Sequence, residues 1–172
     1  MNKLPDAEFD IRRVQSAPWD DTDEEGHINP RRGVAIRAGD TWIPGEKGYI
    51  DTLELPFWMD VLEKLRYLHE GETTAVVLFP DGQAFEFERV DDDRISVMNH
   101  LFEQSIDDES KLLGIEERGT SSLTSLSIVT LQEVARIIDY ARNAELTKSE
   151  ANMIHRLEDY AQKLDWVASS SD

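Results

Sequence analysis

Apolar residues fall along this chain in two rhythms, and the switch between them marks the elements. Between Leu53 and Gly71, Trp58, Val61, Leu62, Leu65 and Leu68 recur every three or four positions, with Asp60, Glu63, Lys64 and Arg66 between them. That spacing winds one apolar stripe along a helix and leaves the opposite face to water. Pro56 suits the first turn, where a missing N–H costs no hydrogen bond, and Gly71 suits the stop, so a helix is predicted over 56–70. From Thr74 the period shortens to two. Thr74–Phe79 is too short for a helix and rich in β-branched residues, and Pro80-Asp81-Gly82 turns the chain. Phe85 and Phe87 then alternate with Glu86 and Glu88, Asp91-Asp92-Asp93 makes a second turn, and Ile95 and Val97 resume the alternation.

The flanks are less regular. Phe9 and Ile11 alternate with Asp10 and Arg12, a short strand. From Gly33, Val34 and Ile36 alternate with Ala35 and Arg37, and Gly39-Asp40 permits a turn into Thr41-Trp42-Ile43. Tyr49, Asp51, Leu53 and Leu55 share one side of a strand leading into the helix. Residues 103–121 read as loop with one short helix, and Ser122–Ile128 reads as a strand. Thr130 with Glu133 makes a capping box, and Val129 with Val134 fits the hydrophobic staple around it. That helix would turn Leu131, Val134, Ala135, Ile138 and Ala141 inward. A second capping box, Thr147 with Glu150, opens a longer helix carrying Ile154, Leu157, Ala161 and Leu164, joined by Met153, Tyr160 and Val167.

The expected architecture is α+β: an antiparallel sheet of about five or six strands with the 56–70 helix packed on it, and a C-terminal antiparallel helical hairpin. Three segments follow: an irregular acidic arm over 1–32, an α+β core over 33–128, and the hairpin over 129–168, packed on or beside the core. The stripe of the last helix suits core packing, and the dimer it would allow runs through that helix.

Composition narrows the function classes. The chain has 172 residues, of which 36 are acidic and 18 basic, for a net charge of −18, with arginine outnumbering lysine two to one. Such a surface repels nucleic-acid phosphates and anionic membranes and attracts basic proteins. No run of apolar residues is long enough to span a bilayer, and residues 1–8 lack the apolar segment of a signal peptide. With no cysteine there is no disulfide, thiolate chemistry or cysteine-based zinc site. A cytoplasmic location is expected.

Candidate chemistry is sparse. His27, His69, His100 and His155 occur singly, with no metalloprotease pair among them. Asp21, Asp23 and Glu25 open like a calcium-binding loop, but Arg32 stands where the bidentate glutamate belongs and Pro30 intrudes, so a solvated acidic loop is the better reading. Pro44-Gly45-Glu46-Lys47-Gly48 lacks the lysine–serine ending of a phosphate-binding loop. No serine lies in a nucleophile-elbow motif, and Glu86 and Glu88 look too solvated for paired-carboxylate catalysis. No catalytic residue, metal or cofactor is expected; an enzyme would need a pocket where His69 or His100 meets a carboxylate.

The strand–strand–helix–meander order, with Leu55-Pro56-Phe57-Trp58-Met59-Asp60-Val61-Leu62-Glu63-Lys64-Leu65, then Phe79-Pro80-Asp81-Gly82 and Phe85-Glu86-Phe87, resembles small acidic α+β immunity proteins of bacterial toxin systems over residues 33–98. The resemblance implies a non-catalytic inhibitor whose acidic face meets a basic toxin surface. The expected function is therefore an acidic protein-binding module with a basic protein partner. Its contact face is Glu86, Glu88, Asp91, Asp92 and Asp93, with Trp19 and Trp42 as anchors. Two alternatives use the same charge: a halophilic cytoplasmic protein of other activity, or a mimic of DNA that inhibits a DNA-binding enzyme.

Overall fold

Eight residues of the 56–70 region and its approach vanish from solvent together, and the molecule is assembled on them. In the computed structural model, which describes residues 5–13, 31–45, 48–101, 106–107 and 117–170, they form α1 (Glu54–His69). Trp58, Val61, Leu62, Leu65 and Leu68 are all 0 % exposed, as their spacing predicts. Each such side chain contributes about 1.5–3 kcal/mol by leaving water. The helix begins two residues before Pro56, which is tolerated because the first turn has no intrahelical partner for its N–H groups. Gly71, at φ +111°, ends the segment in the left-handed region.

The strands number eight among the described residues and form two four-stranded antiparallel sheets, rather than the single sheet of five or six expected. In the first, β2 (Arg31–Ala38) pairs β1 (Ala7–Arg13) on one side, and β3 (Thr41–Ile43) and β4 (Ile50–Leu53) on the other. The second runs β5 (Thr74–Leu78), β6 (Ala84–Arg89), β7 (Arg94–His100), β8 (Arg118–Ser122) in order. The sheets meet where the β2–β3 turn touches β8. A side chain at Gly39 would lie 2.7 Å from the Thr120 carbonyl oxygen, and one at Gly119 2.5 Å from that of Ala38. Only glycine lets the two backbones come this close. Asp6 fastens the joint: its carbonyl accepts the Gly39 N–H (2.7 Å), and its carboxylate accepts the Ser122 N–H (3.0 Å) and the Ser121 hydroxyl (2.8 Å).

Several sequence expectations fail here. Ser122–Ile128 is not a strand: β8 ends at Ser122, whose hydroxyl accepts the Ser125 N–H and caps α2 (Leu123–Arg142). Thr130 and Glu133 therefore lie inside the helix, not at its start. Ser127 and Thr130 donate to the carbonyls four residues back, at 2.8 and 2.7 Å, so their hydroxyls sit buried and satisfied. The inward face is Leu123, Leu126, Ser127, Thr130, Val134, Ile137, Ile138 and Ala141, while Ala135 is exposed and Leu131 only partly buried. In β4 the buried positions are Ile50 and Thr52, the opposite face from Tyr49, Asp51 and Leu53.

The second capping box holds, with Thr147 and Glu150 bonded reciprocally at the start of α3 (Lys148–Ser169). Helices α2 and α3 pack against each other and against α1, and the buried side chains of helices and sheets form one continuous core. The expected boundary at 128/129 thus falls within α2. No helix among the described residues is long and apolar enough to cross a membrane.

Candidate functional site

The link from α1 to β5 and the turn between β6 and β7 gather acidic side chains at one end of the second sheet. Register places Thr74 beside Glu88 and Glu88 beside Ser96, while the Arg89 N–H bonds the Thr73 carbonyl. Glu70, Glu72, Glu88, Asp91 and Asp92 are therefore exposed at the same end. Of these, Glu70 pairs with Arg66 at 3.2 Å.

Part of the expected contact face is instead engaged within the fold. The Asp91 carboxylate accepts the Arg94 N–H at 3.0 Å and closes its own turn. Asp93 accepts the Thr124 N–H (3.0 Å) and hydroxyl (2.8 Å), tying this turn to the first residues of α2. Arg89 bends inward, donating to the Leu68 carbonyl at the end of α1 and to the Asp92 carbonyl. Glu86 lies on the face of the sheet where His100 is buried, with Nε2–Oε2 3.4 Å apart. That leaves Glu88 and Asp92 as the candidates whose carboxylates stand most freely toward solvent. Trp42 is half-buried in β3, in the other sheet, and is not joined to this group. Trp19 and the acidic triplet Asp21, Asp23 and Glu25 lie outside the described residues.

One histidine–carboxylate encounter of the kind an enzyme would need is present among the described residues, that of His100 with Glu86. His69 Nε2 is 2.9 Å from Ser127 Oγ. Because that hydroxyl donates to the Leu123 carbonyl, its oxygen is the acceptor and the histidine the donor. Burial holds the His69 pKa below the usual value; Asp93 pulls it upward and Arg89 adds to the lowering. Ser127 is 1 % exposed, so its pairing with His69 resembles a hydrolytic arrangement in residue type alone. His100 is 3 % exposed and its partner Glu86 15 % at the side chain.

Sequence reasoning passed over one ionic group. Glu54, the first residue of α1, is 8 % exposed and faces Arg32 of β2 at 3.4 Å. Burial raises its pKa, against the pull of Arg32 and of Arg136 from α2. The pair links β2 and α1. An acid immediately before a proline-bearing first turn was the available signal, since the helix N-terminus favours negative charge. On the opposite flank, Trp166 of α3 stands 75 % exposed beside a groove of about 300 Å³ shared with Arg66 of α1.

No protein-family model matches the chain, and no curated protein or solved structure matches it.

Proposed function

We propose that this protein is a non-enzymatic binding module that recognises a basic protein through the acidic end of its second sheet. What supports the reading is the placement of Glu72, Glu88 and Asp92 in solvent at one end of the second sheet. Asp91 and Asp93 brace the turn from within, and Arg89 anchors it to α1, so the remaining carboxylates are presented by a fixed frame. Preorganised charge of one sign steers an oppositely charged partner and suppresses wrong ones. The net charge of −18 extends the same field over the whole molecule. An inhibitor of a basic toxin, as the immunity-protein resemblance implies, is the kind of binder this arrangement suits.

The test is capture by the immobilised full chain, wild type against the double variant Glu88→Lys/Asp92→Lys, at low and high salt. A basic protein held stoichiometrically by the wild type at low salt, released by salt and lost in the variant supports the reading. Equal retention by both forms, or no stoichiometric protein at either salt, refutes it. A melting curve in dilute buffer separates the halophilic alternative, which requires the fold to collapse without molar salt.

A further inference from the structure

Two leucines stand in solvent on the walls of one hollow. Leu53 ends β4 and is 43 % exposed; Leu78 ends β5 and is 52 % exposed. Between them opens a groove of about 440 Å³ whose lining includes Phe57 and Phe79, both nearly inaccessible. Single exposed leucines need no explanation, but two on one hollow with aromatic rings in its lining make a seat for an apolar side chain.

Asp60 of α1 lines the same groove. Its carboxylate pairs with Lys64 at 3.5 Å. Burial among these apolar walls holds its pKa above the usual carboxylate value, with Lys64 opposing. A carboxylate has about four lone-pair sites, so the pairing with Lys64 leaves it able to accept another donor. Beside low-dielectric walls, an incoming cation gains more from that charge than it would in open water.

We propose that this groove seats an aliphatic side chain of a basic partner protein, with a neighbouring lysine or arginine of the same segment on Asp60. The inference shares the basic partner with the functional reading, on which it rests for that point. It concerns the opposite end of β5 from Glu88 and Asp92, about 13 Å away at the rise of a strand. Charge decides the occupant. A second copy of the chain would bring −18 against −18, and a small apolar amine would be poorly enclosed by walls that leave both leucines half in water. A polypeptide segment fills the groove while its basic surroundings meet the field of the whole molecule.

The probe is a set of capped tripeptides, Arg-Leu-Arg, Arg-Ala-Arg and Glu-Leu-Glu, titrated into the ¹⁵N-labelled full chain and followed by amide shifts. Arg-Leu-Arg should move the Leu53, Leu78 and Phe79 amides saturably, and the alanine peptide should bind there about fivefold more weakly. Glu-Leu-Glu should leave these amides unmoved. Asp60→Asn should weaken Arg-Leu-Arg about threefold. Leu78→Ser, at an exposed position, should weaken it similarly, and covers the case in which Asp60→Asn loosens the edge of β5. Equal effects of the leucine and alanine peptides, or shifts confined to the neighbourhood of Glu88 and Asp92, overturn the proposal. Shifts in the groove with none near Glu88 uphold it and count against the acidic sheet end as the contact face.

Discussion

Replacing Asp6 with alanine should loosen the joint between the two sheets. The side chain accepts the Ser122 N–H through both oxygens, at 3.0 and 3.2 Å, and the Ser121 hydroxyl at 2.8 Å. Ser122 is also the cap of α2, so the loss reaches the helix start. Hydrogen bonds to a charged group contribute about 1.5–3 kcal/mol, and partial exposure puts Asp6→Ala near the middle, about 2 kcal/mol. At a urea slope of about 2 kcal/mol/M, the unfolding midpoint falls by about 1 M. The effect should depend on pH. Burial works to raise the Asp6 pKa, but the bonds from Ser122, Ser121 and Ser125 outweigh it and hold the folded value below 3.8. A carboxylate depressed in the folded state contributes stability above its unfolded pKa and loses it as pH falls through the folded value. The gap between wild type and Asp6→Ala in urea titrations should thus be full at neutral pH and narrow below 3.8. A penalty under about 0.5 kcal/mol at neutral pH, or one unchanged in acid, would refute the assignment of Asp6 as the fastening.

Leu65→Ala, at a fully buried position on the central stripe, should cost about 2–5 kcal/mol in the same urea assay; a cost under about 1 kcal/mol would mean α1 is not the packing centre. Glu54 has a folded pKa above 4.5, so its contribution worsens as pH rises from 4.5 through the folded value. Glu54→Gln should therefore gain on the wild type between acid and neutral pH, and a pH-independent difference would contradict the burial argument. His69, with its folded pKa held below 6.5, should make the wild type lose stability as pH falls from 6.5. His69→Gln should flatten that limb of the stability–pH profile, and an unaltered limb would place the titration elsewhere.

The parts of the fold that were legible in the sequence are those where one local period dominates. The stripe of α1, the β5–β7 meander with its Pro80-Asp81-Gly82 turn, and the Thr147–Glu150 cap all follow from neighbours a few residues apart. The partition into two sheets depends on pairings such as Phe9 with Ile36, which no local rhythm announces. In β2, Val34, Ala35 and Ile36 are all buried, so alternation was lost where both faces are covered. The start of α2 was obscured because Ser122–Ser127 carries hydroxyls that bond backward inside a helix as readily as they line a strand. At the Asp91-Asp92-Asp93 turn, sequence could not tell that Asp91 and Asp93 spend their carboxylates on backbone N–H groups. Leu78 was readable in retrospect: it is out of phase with Ala75, Val77 and Phe79, the inward positions of its strand.

The central claim is that fixed negative charge at the end of the second sheet, and not a reactive pocket, is what engages the cell's other molecules. Its most direct measurement is the dissociation constant of the captured basic partner for the wild type and for Glu88→Lys/Asp92→Lys, at salt of about 50 mM and about 500 mM. The account predicts tenfold or greater weakening by the variant at low salt, shrinking once screening removes the field, at about 1.4 kcal/mol per tenfold change. An affinity indifferent to both the substitutions and the salt would contradict it.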